Sequence, residues 1–396
     1  MAQQPSNPKI IVSVWGRFHA FDLARELQQC NALSALITSY PRFVVERYGV
    51  DRSRIWSRPI SEVICRLGQK APALGRLTRS DLRAKQLFEK SARRALRSVS
   101  GDVFVGWSGT SLSLLRDAKA RGMLTVLERG SSHIVEQSKT LLDEYARFGL
   151  AFDDTPAATI EQELAEYAEA DYVAVPSGFV ADSFLRQGMP SHKLLLVPYG
   201  ADVTAFCHAP ILHQPFRILQ VGGVTIRKGF RYVVDAFVEA AIPNSELWFV
   251  GGVSAEARQY FNRVTVPGVF LHGHKPQAEL PRYYNQCDVA CLGSVEEGMA
   301  MVLLQAAACG LPIVCTESTG GSEIVGQNEC GIVVPPRDVK AMARAFRTLY
   351  ADAALRVKLG LAARQRAERE FTWRRYAERA VAKYRELLAR RTSTPC

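Results

Sequence analysis

The sequence lacks most of the patterns that assign a chemistry at sight. Across its 396 residues no apolar run approaches the ~20 needed to cross a bilayer as a helix, so an integral helical protein is not expected. The nine cysteines (positions 30, 65, 207, 287, 291, 309, 315, 330 and 396) include no CxxC pair and lie in apolar or helical stretches. Reduced thiols fit that scatter better than disulfides or a zinc site. The opening MAQQPSNPKIIVSVWG has no basic region ahead of a long apolar core, so no secretory leader is expected and a cytoplasmic location is. There is no GxGxxG after a strand, no GxxxxGK[ST], no GxSxG and no HExxH, which argues against nicotinamide dehydrogenases, P-loop NTPases, α/β-hydrolases and zincins. An Asp-x-Asp pair, which could hold a metal-bound nucleotide diphosphate, is also missing. No metal and no cofactor are therefore expected, and a bound diphosphate would need protein cations and dipoles.

What is present describes a soluble globular chain of two domains: 47% hydrophobic and 22% charged residues, with a net charge of +11. That charge is concentrated. Residues 52–97 hold 13 Lys and Arg against three acids, and the cations alternate with apolar positions such as Trp56, Ile60, Leu77 and Phe88. A basic amphipathic segment of this kind suits an anionic membrane surface, where each cation adds about 1 kcal/mol. Arg76, Arg79, Arg83 and Lys85 are the candidate contacts. A solvated basic helical face would read the same way, whereas nucleic acid has no recognisable module to support it.

Short β-branched runs alternate with longer helical patterns, which predicts parallel sheets covered by helices. Strands are expected at 9–15, 32–38, 102–107, 123–128 and 171–177, then again at 216–223, 246–252, 269–274, 288–294, 312–318 and 331–338. The fold class is α/β, with two Rossmann-like doubly wound domains facing a cleft, and ligands are expected at the carboxyl ends of their strands. The expected division is 1–200, 201–372, and a closing helix over 373–396 that returns to the first domain.

Two stretches could bind a ligand there. VGGVTIRKGF (221–230) follows a strand with Gly222 and Gly223, then Arg227 and Lys228. The glycines let backbone approach a ligand, and the cations can neutralise phosphate. A plain turn with solvated basic residues remains the alternative. GSVEEGMAMVLLQ (293–305) places Gly298 before a helix predicted from about Met299, whose free amides near Met299, Ala300 and Met301 could hold an anion. Glu297 would repel phosphate but accept from sugar hydroxyls, and Gln305, a turn or two deeper, could meet a ribose. An ordinary core helix with incidental polar residues explains this spacing equally well.

The run EEGMAMVLLQAAACGLPIVCTESTGGSEIV (296–325) resembles the glutamate-x7-glutamate region of the retaining GT-B glycosyltransferases of family four. EYAEADYVAVPSGFVADSFLRQG (166–188), KLLLVPYGADVTAF (193–206), VGGVTIRKGFRYVVDAF (221–237), HGHKPQAELPRYYNQCDVACLGS (272–294) and FTWRRYAERAVAKYREL (371–387) resemble further family stretches in order. Over the first 150 residues the likeness thins to Gly16 and ERGSSH (128–133).

The resemblance implies that Glu297 accepts donor-sugar hydroxyls, the Gly298–Met301 amides hold sugar and diphosphate, and Lys228 stabilises the leaving diphosphate. It also implies that Gly16 belongs to the donor site, that Gly273 and His274 border the base, and that His133 sits by the reacting face of the sugar. Two positions depart from the family: its second Glu is Gln305 here, and its usual phosphate-loop cation is Gly223, which leaves Arg227 as a substitute. The implied activity is metal-independent transfer from a nucleotide-diphosphate sugar, with retention, to a saccharide or lipid-linked acceptor in bacterial polysaccharide or glycolipid synthesis. The rival is a catalytically weakened nucleotide-sugar-binding protein acting as a sensor or partner subunit. A glycogen-phosphorylase-like enzyme would need a pyridoxal-phosphate lysine that the sequence does not place.

Overall fold

The computed structural model describes residues 7–64, 80–152 and 154–393. The first sheet contains β1 (Ile10–Val14), β2 (Leu33–Thr38), β3 (Ile55–Ser57), β4 (Val103–Trp107), β5 (Leu124–Glu128), β6 (Tyr172–Val175) and β7 (Leu194–Leu196). All are parallel, in the order β3-β2-β1-β4-β5-β6-β7. β1, β4 and β5 are buried along their whole length, which is why they read as continuous apolar runs rather than alternating ones. β3 lies inside the basic segment, and β7 lies inside KLLLVPYGADVTAF (193–206), just before the expected division at residue 200. Both are three-residue edge strands, too short to carry a period.

The second sheet contains β8 (Phe216–Val221), β9 (Ser245–Val250), β10 (Val269–Gly273), β11 (Val289–Leu292), β12 (Ile313–Thr316) and β13 (Gly331–Val334). It too is parallel, ordered β10-β9-β8-β11-β12-β13. In each sheet the strand order reverses beside the first strand, between β1 and β4 and between β8 and β11. The loops leaving these strands are therefore where a ligand-binding crevice opens.

After the second sheet the chain crosses back. Ala201 pairs with Thr372, and a side chain at Gly200 would lie 2.5 Å from the Thr372 backbone, so the two crossing strands of chain meet at a glycine. The helix Trp373–Ser393 then packs on the helix Ala20–Gln29 of the first domain, and the Tyr376 hydroxyl donates to buried Glu128 at 3.0 Å. Among the described residues no helix is long and apolar enough to cross a membrane.

Candidate active site

A cleft of about 660 Å³ lies between the two sheets. Its floor is the turn after β8 and the turn after β9. Gly222 has φ +116° and open space where a side chain would project, while a side chain at Gly251 would lie 1.8 Å from the Gly222 carbonyl oxygen. Only glycines permit these two turns to touch, and the result is an unobstructed backbone surface. Gly223, His274, Lys275, Met301 and Gln305 also line the second-domain side, and the loop after β1 supplies Arg17 and Phe18 from the first. Gly16 has φ +95°, and its amide donates to Ser39 Oγ at 2.9 Å, which fixes that loop. Gly273, also at positive φ, accepts the Gly251 amide at 2.9 Å.

Lys228, Glu297 and His133 do not line this cleft. Lys228 and Glu297 are closed on each other as a short ion pair, with Arg227 Nη2 3.6 Å from the same carboxylate. Burial alone would raise the Glu297 carboxyl, but the charges of Lys228 and Arg227 hold it below the ordinary range. The two residues expected to face diphosphate and sugar are thus adjacent, each neutralising the other.

Arg227 is not the spare cation that replaces Gly223. Its Nε lies 2.8 Å from Glu296, and its Nη2 lies 3.3 Å from Ser131 Oγ. Burial opposes the charge of Arg227, and Glu296 and Glu297 hold it protonated. Glu296, which the sequence reading passed over, is fully buried. Its carboxylate accepts from Ser132 N at 3.1 Å, Ser132 Oγ at 2.7 Å, Gln137 Nε2 at 3.0 Å and Arg227. Ser132 and Gln137 belong to the first domain and Arg227 to the second, so one carboxylate clasps both. The available signal was the doubled acid itself: two adjacent carboxylates beside a buried strand must both be satisfied.

The helix behind this loop begins later than expected. It runs Met301–Ala308, with Ala300 still extended. The Ala300 amide is spent on Thr319 O at 2.9 Å, and Met299 and Ala300 are buried. Gly298 is pressed against the first domain: a side chain there would lie 1.7 Å from the Gly130 carbonyl oxygen, and Ser177 Oγ donates to Gly298 O at 2.8 Å. Its missing side chain lets the domains meet. Gln305 does reach the cleft, where its side chain lies 3.3 Å from the Tyr284 hydroxyl.

His133 is placed differently from the expectation at the sugar's reacting face. It is the N-cap of the helix Ile134–Arg147, where Nδ1 accepts from Val135 N at 3.3 Å. Its ring packs 5.0 Å from Tyr167 and 4.9 Å from Phe184. Burial, then the nearby Arg129 charge, depresses its pKa to about 4. A neutral imidazole that already accepts from the backbone has no basic nitrogen left on that side for a substrate.

Of the basic candidates, Arg76 and Arg79 fall outside the described residues. Arg83 is exposed, and Lys85 Nζ lies 5.4 Å from the centre of the Trp15 ring.

The family of group 1 glycosyl transferases matches residues 215–352. The amylovoran biosynthesis glycosyltransferase AmsK of Erwinia amylovora is 27% identical over 316 residues, 74% of this chain and 72% of that protein. A sucrose-phosphate synthase from Thermosynechococcus elongatus superposes with a TM-score of 0.71 at 19% identity, over 96% of this chain and all of its own. Anabaena HepE, solved with UDP and glucose, superposes with a TM-score of 0.66 at 15% identity over 98% of this chain and 99% of that one. With two parallel doubly wound sheets and a cleft at their switch points, the chain has the GT-B fold, and over residues 215–352 it resembles the group 1 glycosyl transferases.

Proposed function

We propose that the protein transfers a sugar, with retention and without a metal, from a nucleotide-diphosphate sugar to a saccharide or lipid-linked acceptor in polysaccharide or glycolipid synthesis. The observation that carries this reading is the Lys228–Glu297 pair, whose lysine shares the loop after β8 with Gly222. On donor binding, Lys228 turns to the diphosphate as negative charge builds on the leaving group, and Glu297 accepts from sugar hydroxyls. Each gives up a partner of opposite charge for a ligand group that suits it. A preorganised cation at a developing anion is worth several kcal/mol of barrier. The interdomain contacts around Glu296 exclude water, which would otherwise compete as acceptor. The acceptor attacks on the face that the leaving phosphate vacates.

Thermal shift against UDP, GDP, ADP and their sugar conjugates, with EDTA present, tests the donor site. A nucleotide at 100 times its Kd stabilises by about 2.7 kcal/mol, and no stabilisation by any of them would refute the reading. The rival, a binding protein without transfer, is favoured by Arg227 being fully committed to protein carboxylates. Slow release of free sugar from the donor in the absence of acceptor decides for the enzyme. Peripheral attachment through the basic segment is the accompanying proposal: neutralising Arg76, Arg79, Arg83 and Lys85 together should lower binding to anionic vesicles, and unchanged binding would sink it.

A further inference from the structure

The first-domain wall of the cleft, opposite the glycine floor, carries a strained ring and charged groups of its own. Phe18 stands at its mouth with φ +42° and 66% of its surface exposed. A bulky aromatic at positive φ is strained, and leaving its ring in water gains no burial to offset that strain. Such outliers persist where the ring has a task.

Beside it lie Arg17 and Arg47. Arg17 donates to the Tyr48 hydroxyl, and the Arg47 guanidinium lies 5.8 Å from the centre of the Phe43 ring. Among the described residues neither has a carboxylate within ion-pair distance. The acids on these walls are already engaged: Asp22 pairs with Arg25 at 3.0 Å, and Asp202 accepts from the Thr204 hydroxyl at 2.6 Å and two backbone amides at 3.0 Å. The wall therefore offers two guanidinium groups without a carboxylate partner and an exposed ring, across from the glycine floor.

We propose that this wall is an acceptor subsite for an anionic saccharide, with Phe18 stacking on a sugar ring and Arg17 and Arg47 reading its negative group. The inference rests on the nucleotide-sugar reading for the other wall. A guanidinium presents parallel N–H donors that match carboxylate and phosphate alike, so the shared chemistry is an oxyanion on a sugar. An acidic sugar and a sugar phosphate are its two sources.

The test is calorimetric titration of protein saturated with UDP, and separately with GDP, using D-glucuronate, glucose 1-phosphate and glucose. At least one anionic sugar should bind about ten-fold more tightly than glucose. R17Q/R47Q should reduce that preference to about one, and F18A should weaken all three sugars several-fold. R47Q alone changes an exposed side chain, and a partial loss is expected even if the double variant folds poorly. Glucuronate alone being preferred would identify an acidic sugar, and glucose 1-phosphate alone a phosphorylated one. Equal binding of charged and neutral sugars, a preference that survives R17Q/R47Q, or displacement of the anion by nucleotide would each overturn the proposal. A wild-type protein that takes up no nucleotide would sink the donor reading instead, and titration of the unloaded protein would still decide on this wall.

Discussion

Replacing Glu296 by alanine should loosen the domain contact more than any other single change at the site. Its carboxylate is fully buried and accepts from four donors at 2.7–3.1 Å. Removing one member of a buried ion pair costs about 3–5 kcal/mol. Arg227 is 31% exposed and keeps Glu297 at 3.6 Å, so the low end applies to that pair. Ser132 and Gln137 would lose a buried acceptor, at about 1–3 kcal/mol for each orphaned donor that water does not reach. A total of about 3–5 kcal/mol is expected, since the terms share one cavity and do not add. E296Q keeps the shape and one acceptor oxygen but turns an N–H toward another donor, and should cost roughly half as much.

The decisive assay is a double-mutant cycle between Ser132 and Glu296, read by urea denaturation, with the radius of gyration measured by X-ray scattering. Because the two residues belong to different domains, their coupling reports the clasp directly. A coupling of about 1 kcal/mol or more and a larger radius for E296A are expected. Additive losses with an unchanged radius would refute the reasoning.

Three further outcomes follow from the same geometry. E297Q releases Lys228 from its pair, so UDP or GDP should bind about 3–10-fold more tightly while sugar transfer falls; calorimetry showing weaker nucleotide binding would contradict the pairing argument. The pKa of His133 in the folded state, about 4, lies below its unfolded value near 6.5, so this term is fully favourable above pH 6.5 and is lost as pH falls toward 4. Wild type should lose about 2 kcal/mol more stability between pH 7 and pH 4.5 than H133N, which retains an N-cap oxygen; parallel losses would place the titration elsewhere. Q305E adds a carboxylate beside the Tyr284 hydroxyl and the cleft, and should tighten nucleoside diphosphates several-fold if a ribose lies there, whereas weaker binding of UDP and GDP alike would move the ribose away from this helix.

Much of the architecture was legible because buried parallel strands are long apolar runs with clear punctuation. The runs at 9–15 and 216–223 became β1 and β8, the strands beside which both sheets reverse. Local patterning did not reveal what depends on the other domain. Gly298 reads as a ligand-approach glycine until Gly130 is seen against it. Met299 and Ala300 read as the first helical turn, but Thr319 takes the Ala300 amide and delays the helix to Met301. His133 sits at a strand end, where a catalytic group would be, yet it is a cap residue packed on Tyr167 and Phe184. Glu296 was the largest omission, because the partners that give it a role are more than 60 residues away in sequence.

The two departures from the family pattern can be weighed on the same terms. Tyr284 has a single hydroxyl proton but two acceptors in reach, Val302 O at 2.9 Å and Gln305 at 3.3 Å. If the proton goes to the nearer carbonyl, an amide at 305 can turn and donate to the Tyr284 oxygen, while a glutamate would set an anion against a lone pair. Glutamine is therefore the residue that this tyrosine accommodates at either proton position. At Gly223 no such partner is found: a side chain there would come no closer than 3.4 Å to Thr225, so space does not demand glycine. The missing cation leaves the floor uncharged, and Arg227, which could have replaced it, is bound to Glu296. Among the described residues, positive charge without a carboxylate partner remains in the cleft at Lys275 on the second-domain side and at Arg17 and Arg47 on the other wall. A donor diphosphate that draws Lys228 from Glu297 would couple the grip on the leaving group to the presence of a sugar that can take Glu297 in its place.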